Sequence, residues 1–332
     1  MVAGARVTTG GLPHRGLRAV LRRRPGSPHE LGARAWWSAL KRALAEFKED
    51  ELTDRAAALT YYGVLSIFPA MLVVVSVVGL AGRSVSQSLI ANVGDLAPGL
   101  VRQVLVTALR ELQGGRAGAG LAAALGLLAA LWSASGYVGA FIRAANAVYD
   151  IPEGRPVWKV LPIRLAITVV TLLLLAVSAV VVVVSGPLAE RAGELLGLGP
   201  AAVTAWTIAK WPVLVLVAAF LISLLYWAAP NARHGFRWVT PGGVLAIALW
   251  LVASAGFALY VAGFASYNKT YGSLAGLIVF LVWLWLSNMA ILLGAELNAE
   301  LERGRAIAAG LPEESEPYVE PRDTRGFKAR ER

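Results

Sequence analysis

Any chemistry on this chain has to come from a short inventory, because it contains no Cys and only three His, at positions 14, 29 and 234. The missing Cys excludes disulfides, thiolate nucleophiles and thiolate metal sites. His234 stands in a short turn between Arg233 and Gly235, which reads as a membrane headgroup-level residue rather than a ligand. Metal-assisted phosphodiester cleavage needs carboxylates or His clustered around the scissile phosphate, and here the candidates are scattered along the chain. Asp150, Glu153 and Arg155 flank Pro152 and Gly154, a pattern that reads as a turn. No phosphate-binding glycine loop, nucleophile elbow or zinc spacing is present. The expectation is a protein that is not an enzyme, with no catalytic residue, no metal and no cofactor.

The elements that carry the remaining polar groups are apolar. The chain has 332 residues, 57% hydrophobic and only 16% charged, with a mean hydropathy of +0.61. A soluble domain carries about 25% charged residues, so much of this surface must face lipid. A charge at a helix centre costs about 2.5 to 3.5 kcal/mol on insertion, which makes charge-free runs the primary signal. Six qualify, at 56–82, 117–142, 165–189, 211–232, 238–268 and 270–295. Each exceeds the roughly 20 residues needed to cross. The fifth would reach about 46 Å at about 1.5 Å per residue, so part of it must be interfacial, and Pro241-Gly242-Gly243 suits its helix start. With both ends inside, the cytoplasmic segments hold 24 Lys and Arg against 7 outside. Counting only positions close to the spans leaves 12 against 7, and the same direction.

That orientation places most of the span-borne polar groups in the cytoplasmic half of the bilayer. Tyr61, Tyr62 and Ser66 open the first span, Ser133 and Ser135 lie in the second, and Asn288, Glu296 and Asn298 end the sixth. Pro69 removes an amide donor near the centre of the first span, where the helix can kink. These nine residues are the candidate lining of a cavity open to the cytoplasm; interhelical hydrogen bonding with an aromatic belt is the structural alternative. Gly118, Ala122, Gly126, Ala130 and Ala134 form a small-residue stripe suited to helix packing.

Outside the spans, residues 35–50 set Trp36, Leu40, Ala43, Leu44 and Phe47 on one helical face, with Lys41, Arg42 and Lys48 on others. This pattern predicts an interfacial helix, or a helix packed on the inner loops. Residues 100–112 repeat it in the long outer loop. Arg22-Arg23-Arg24 is followed by Pro25-Gly26-Ser27-Pro28 rather than an apolar stretch, which argues against a cleavable signal. Residues 1–34 read as a disordered basic cytoplasmic tail, 35–303 as one six-span membrane domain, and 304–332 as a second disordered tail. The fold class expected is therefore an all-α integral membrane protein, a six-transmembrane-helix bundle with amphipathic interfacial helices.

Three strings carry a resemblance. ALTYYGVLSIFP at 58–69, WSASGYVGAFIRAANAVYDIPEGRPVWK at 132–159 and YGSLAGLIVFLVWLWLSNMAILLGAELN at 271–298 are similar to the signatures of the YihY/virulence factor BrkB family. The likeness covers roughly residues 40–303 and leaves out both tails. It implies a bacterial inner-membrane protein with six spans and no settled molecular activity. The older family name, ribonuclease BN, implies a tRNA-processing role regarded as a misassignment.

The net charge of +10 suits anionic lipid headgroups at the cytoplasmic face. No specific nucleic-acid partner is expected, since the basic tail lacks aromatic residues between its arginines for base stacking. Three functions remain open: a protein that handles or exports an envelope lipid or polymer, a cation or proton exchanger, and a structural or assembly factor of the envelope. Exchange normally needs an Asp or Glu inside the bundle. No run contains one, the nearest charges being Asp54, Lys269 and Glu296.

Overall fold

The computed structural model describes residues 30–80, 119–183, 189–190, 193–194, 197, 199–263, 273–313 and 315–327. Among them run seven long helices: α1 (Ala33–Glu49), α2 (Leu52–Leu80), α3 (Ala119–Val148), α4 (Val157–Val183), α5 (Pro200–Ala228), α6 (Pro241–Gly263) and α7 (Ser273–Ala308). The described residues contain no strand, only an antiparallel bridge between Ala232 and Pro321. Within the described chain, Val157–Val182, Pro200–Ala228, Pro241–Val261 and Gly276–Ala308 are long and apolar enough to cross a bilayer. Leu259, Val252, Leu216 and Ile208 on these helices are two-thirds or more exposed, which in water would be a costly apolar surface. The fold is that of an all-helical membrane protein. Residues 1–29, the 100–112 segment, the side chain of Pro69 and most of the small-residue stripe lie outside what is described.

The helices divide into two compact units. The first comprises the described residues of Met1–Thr60, Ala140–Leu161 and Ile222–Arg332, and α7 is its axis. At 36 residues α7 is about 54 Å long. It is free of charged residues up to Ala295 and then carries Glu296, Glu300, Glu302, Arg303 and Arg305 over its last turns. α6 packs along it through glycine: a Cβ on Gly242 would lie 1.8 Å from the Gly294 carbonyl, and one on Gly294 would lie 2.3 Å from the Gly242 carbonyl. The start of α6 at Pro241 agrees with the sequence. Thr240 is its N-cap, accepting from the Gly243 amide at 3.0 Å, while the Asn298 side chain reaches across from α7 to accept from the Gly242 amide at 2.9 Å.

α1 packs on α7 through Ala39 and Ala43 against Leu297 and Leu301, with Leu31 closing the cluster. Of the face expected from sequence, Ala43 is buried and Trp36 and Leu40 are partly so, but Leu44 is 56% exposed, next to Trp37 at 59%. Trp37 and Leu44 are seven positions apart and so share a second apolar face, with Lys41 over the Trp37 ring at 5.4 Å. α3 ends with Asp150 at φ 51, its amide on the Ala147 carbonyl and the Ile151 amide on the Asn146 carbonyl. This is a Schellman turn. Gly310, at φ 98, ends α7 in the same way.

The second unit comprises the described residues of Tyr61–Gly139 and Pro162–Leu221. Here α3 meets α2 where Gly136 faces the Tyr62 ring, and meets α4 where Arg164 donates to the Ser135 carbonyl at 2.6 Å. The Arg164 guanidinium also lies 5.5 Å from the Trp132 ring centre.

Residues 304–327 depart from the disordered tail expected there. Helix α7 continues to Ala308, and beyond it Tyr318 and Val319 are among the most buried side chains of the first unit. The composition of this segment, rich in Glu, Pro and Arg, concealed two apolar anchors and the backbone partners described next.

Candidate functional site

The charged end of α7 organises the first unit. Arg303, only 8% exposed, reaches Glu46 on α1 at 3.2 Å, Asp150 after α3 at 3.5 Å, Glu316 in the C-terminal segment at 3.3 Å and Glu300 one turn back at 3.4 Å. Its guanidinium lies 4.7 Å from the Tyr318 ring centre, in cation–π range. Arg42 of α1 closes a short ion pair on the other oxygen of Glu300. Burial pushes the Asp150 carboxyl up to about 7, with Glu316 and Asp50 adding to the effect and Arg303 opposing it. Burial likewise raises Glu46 and Asp50. Glu296 is 1% exposed, and its Oε2 has no hydrogen-bond partner. Carboxylates therefore outnumber cations here, and two arginines hold the group together. No group of three metal-ligating side chains occurs among the described residues.

A second cluster fastens the C-terminal segment. Asn231, completely buried, donates to the carbonyls of Pro152 at 3.2 Å and Asp323 at 2.9 Å and accepts from the Asp323 amide. Its own amide donates to the Asn146 side chain at 2.7 Å. Asn146 also donates to Glu153, which holds Arg155 through both carboxylate oxygens. Arg155 in turn donates to the carbonyls of Ala228, the last residue of α5, and of Ala229 just beyond it, and so caps that helix. Burial alone would raise Glu153, but hydrogen bonds from Arg155 and Asn146 outweigh it and hold the carboxyl below its ordinary range. What reads as a turn in sequence is thus a buried polar network. Its one sequence signal is polar residues directly abutting apolar runs, as at Asn146 and Asn231.

The first unit also holds a pocket of about 90 Å³. Tyr149 and Tyr226 are among its lining, Ser223, Thr240 and Asn298 supply hydroxyl and amide groups, and Arg237, Arg305 and His234 supply the basic residues against a single carboxylate, Glu302. Arg305 is held in the wall by Glu302 at 2.6 Å, and His234 stacks on Tyr149 with ring centres 5.6 Å apart. Trp227, also in the lining, packs edge-on to Phe236, and Phe236 to Trp238, which is 68% exposed. An aromatic row therefore leads from the pocket to the outer surface.

The candidates from sequence fall into several environments. In the second unit, Ser66 donates to the Tyr62 carbonyl of its own helix and, at 3.4 Å, to the Ala134 carbonyl of α3, while Ser135 donates to the Trp132 carbonyl within α3. Tyr61 is 62% exposed with its ring edge-on to Tyr62, and Ser133 is exposed. In the first unit, Asn288 is buried and donates to Thr60 at 3.0 Å, and Asn298 combines α6 capping with a place in the pocket lining. Glu296 lies with the α7 carboxylates. His234, set aside on sequence, lines the pocket.

Comparison with known proteins places the chain. It is 30% identical over 281 residues to the ribonuclease-like protein YfkH of Bacillus subtilis, covering 85% of this chain and 99% of that one. It is 33% identical over 276 residues to a UPF0761 membrane protein of Alkalilimnicola ehrlichii, covering 80% of this chain but 59% of that one, and 31% identical over 262 residues to one of Photobacterium profundum, with 76% and 77% covered. No solved structure matches. Residues 43–317 match the family described as Virulence factor BrkB, and this chain is a member of that family.

Proposed function

We propose that this membrane protein spans the bacterial inner membrane six times, with both termini cytoplasmic, and handles or exports an envelope lipid or polymer without being an enzyme. The observation that carries the reading is the pocket with arginine, histidine and amide groups inside and an aromatic row leading to an exposed surface. Amphiphile handling requires a polar recess continuous with an apolar exterior, and an aqueous enzyme does not. Six crossings are supported by α2 and α3, which at 29 and 30 residues are at least as long as three of the four helices that meet both the length and apolarity requirements. Trp37 and Leu44 on the exposed face of α1 favour seating that helix at the cytoplasmic interface. Anionic lipids are the expected partners.

Cation or proton exchange is the second reading, favoured by one observation: Glu296 is buried in the first unit with an unsatisfied carboxylate oxygen. Protein reconstituted in sealed vesicles separates the two. Movement of fluorescent phospholipid between leaflets without an ion gradient supports lipid handling. Collapse of an imposed pH gradient, lost in Glu296→Gln and without lipid movement, replaces it with exchange. Neither activity in correctly folded protein leaves an assembly role as the better account.

A further inference from the structure

The pocket and its aromatic row specify a ligand class. Two guanidinium-bearing residues, Arg237 and Arg305, line it with His234, and Glu302 is the only carboxylate among the lining residues. A third guanidinium, from Arg322 of the C-terminal segment, lies 5.4 Å from the Trp227 ring centre and donates to the Trp227 and Ala232 carbonyls. Planar guanidinium groups suit phosphate oxygens because two N–H donors match two acceptors. The available space is too small for a whole lipid but admits a phosphate with its ester oxygens. An amphiphile seated there would leave along Trp227, Phe236 and Trp238, and Val239 beside them is 67% exposed. Indole and phenyl rings at the boundary of water and hydrocarbon favour an apolar tail over a soluble anion.

We propose that this pocket binds the phosphate of an anionic phospholipid headgroup, with Arg237 and Arg305 on the phosphate and the acyl chains along the Trp227–Phe236–Trp238 row. This site rests on the lipid-handling reading and names its substrate class. Arg237 is the residue to vary, because it is exposed in a loop, whereas Arg305 is buried in an ion pair.

Native mass spectrometry of the full chain from detergent, offered phosphatidylglycerol or phosphatidylcholine with matched chains, tests it. The wild type should retain phosphatidylglycerol about tenfold better, the scale expected for one charge-assisted pair. Arg237→Gln should abolish the preference and Arg237→Lys should keep part of it. Arg325→Gln, on a residue paired with Asp323 away from the pocket, should change nothing. Trp238→Ala should weaken retention of both lipids. A preference that survives Arg237→Gln in folded protein overturns the site. Inorganic phosphate displacing the lipid at millimolar concentration, with Trp238→Ala silent, overturns the lipid assignment in favour of a soluble phosphate. The vesicle assay keeps the two claims apart: lipid movement with no Arg237-dependent binding sinks the site alone, and Arg237-dependent binding with no lipid movement sinks the transport reading alone.

Discussion

Replacing Arg303 with Gln should destabilise the protein, and by an amount that grows with pH. The side chain is almost fully buried and faces four carboxylates, of which Glu300 has a side chain 2% exposed, while those of Glu46, Asp150 and Glu316 are 29%, 35% and 56% exposed. Removing one partner of a buried pair costs about 3 to 5 kcal/mol. Glu300 keeps Arg42, which puts its share at the lower end, and the three more exposed carboxylates are screened to about 0.5 kcal/mol each or less. A loss of about 3 kcal/mol at pH 8 follows. The pH dependence comes from Asp150, whose folded-state value of about 7 lies above its ordinary 3.8. A carboxyl raised on folding favours the folded state while protonated, so its contribution is complete below about pH 4 and is lost as pH rises through about 7. Arg303 opposes that loss, and without it the loss deepens. Arg303→Gln should therefore lie closer to wild type at pH 5.5 than at pH 8.5. Asp150→Asn should restore part of the pH 8.5 deficit, since Asn tolerates the φ of 51 at that position. The assay is denaturant unfolding in detergent, followed by Trp fluorescence, on both single variants and the double variant. A deficit equal at the two pH values, or no coupling between the two substitutions, would refute the electrostatic account of this end of α7.

Gly294→Ala should lower stability by about 3 kcal/mol or more, because overpacking a filled interface outweighs the better helix propensity of Ala; Gly256→Ala, which meets nothing within 4 Å, is the control in the same unfolding assay. Asn231→Ala should free the C-terminal segment, and limited trypsin digestion should then cut after Arg322 or Arg325 much sooner than in the wild type; an unchanged rate of cleavage at these two sites refutes the anchoring role. For orientation, a cysteine at Glu313, which is 70% exposed, should be protected from an impermeant thiol reagent in intact cells, whereas one at the exposed Glu190 should react. Labelling in the opposite sense inverts the topology.

The class of protein and the location of its apolar helices were legible in the residues themselves, because excluding charge from a helix centre is a local requirement that each run meets alone. The start of α6 was legible for the same reason: Thr240 and Pro241 have preferred positions at a helix N-terminus whatever surrounds them. The family, too, could be read from three strings. Other features depended on contacts between distant positions. Arg303 and Asp150 are 153 positions apart, and Asn231 and Asp323 are 92 apart, so no spacing along the chain announces either pair. A polar residue beside an apolar run looks the same whether it ends in water, snorkels to a headgroup or anchors a buried network, and only packing decides which. That is why Glu153 and Arg155 read as a turn, residues 304–327 as a loose tail and His234 as a bystander. Composition measures how much a segment can bury unaided, and it assigned that C-terminal stretch too little. Folded, the segment borrows its hydrogen-bond partners from Gly154, Asn231 and Ala232, which the rest of the first unit holds in place.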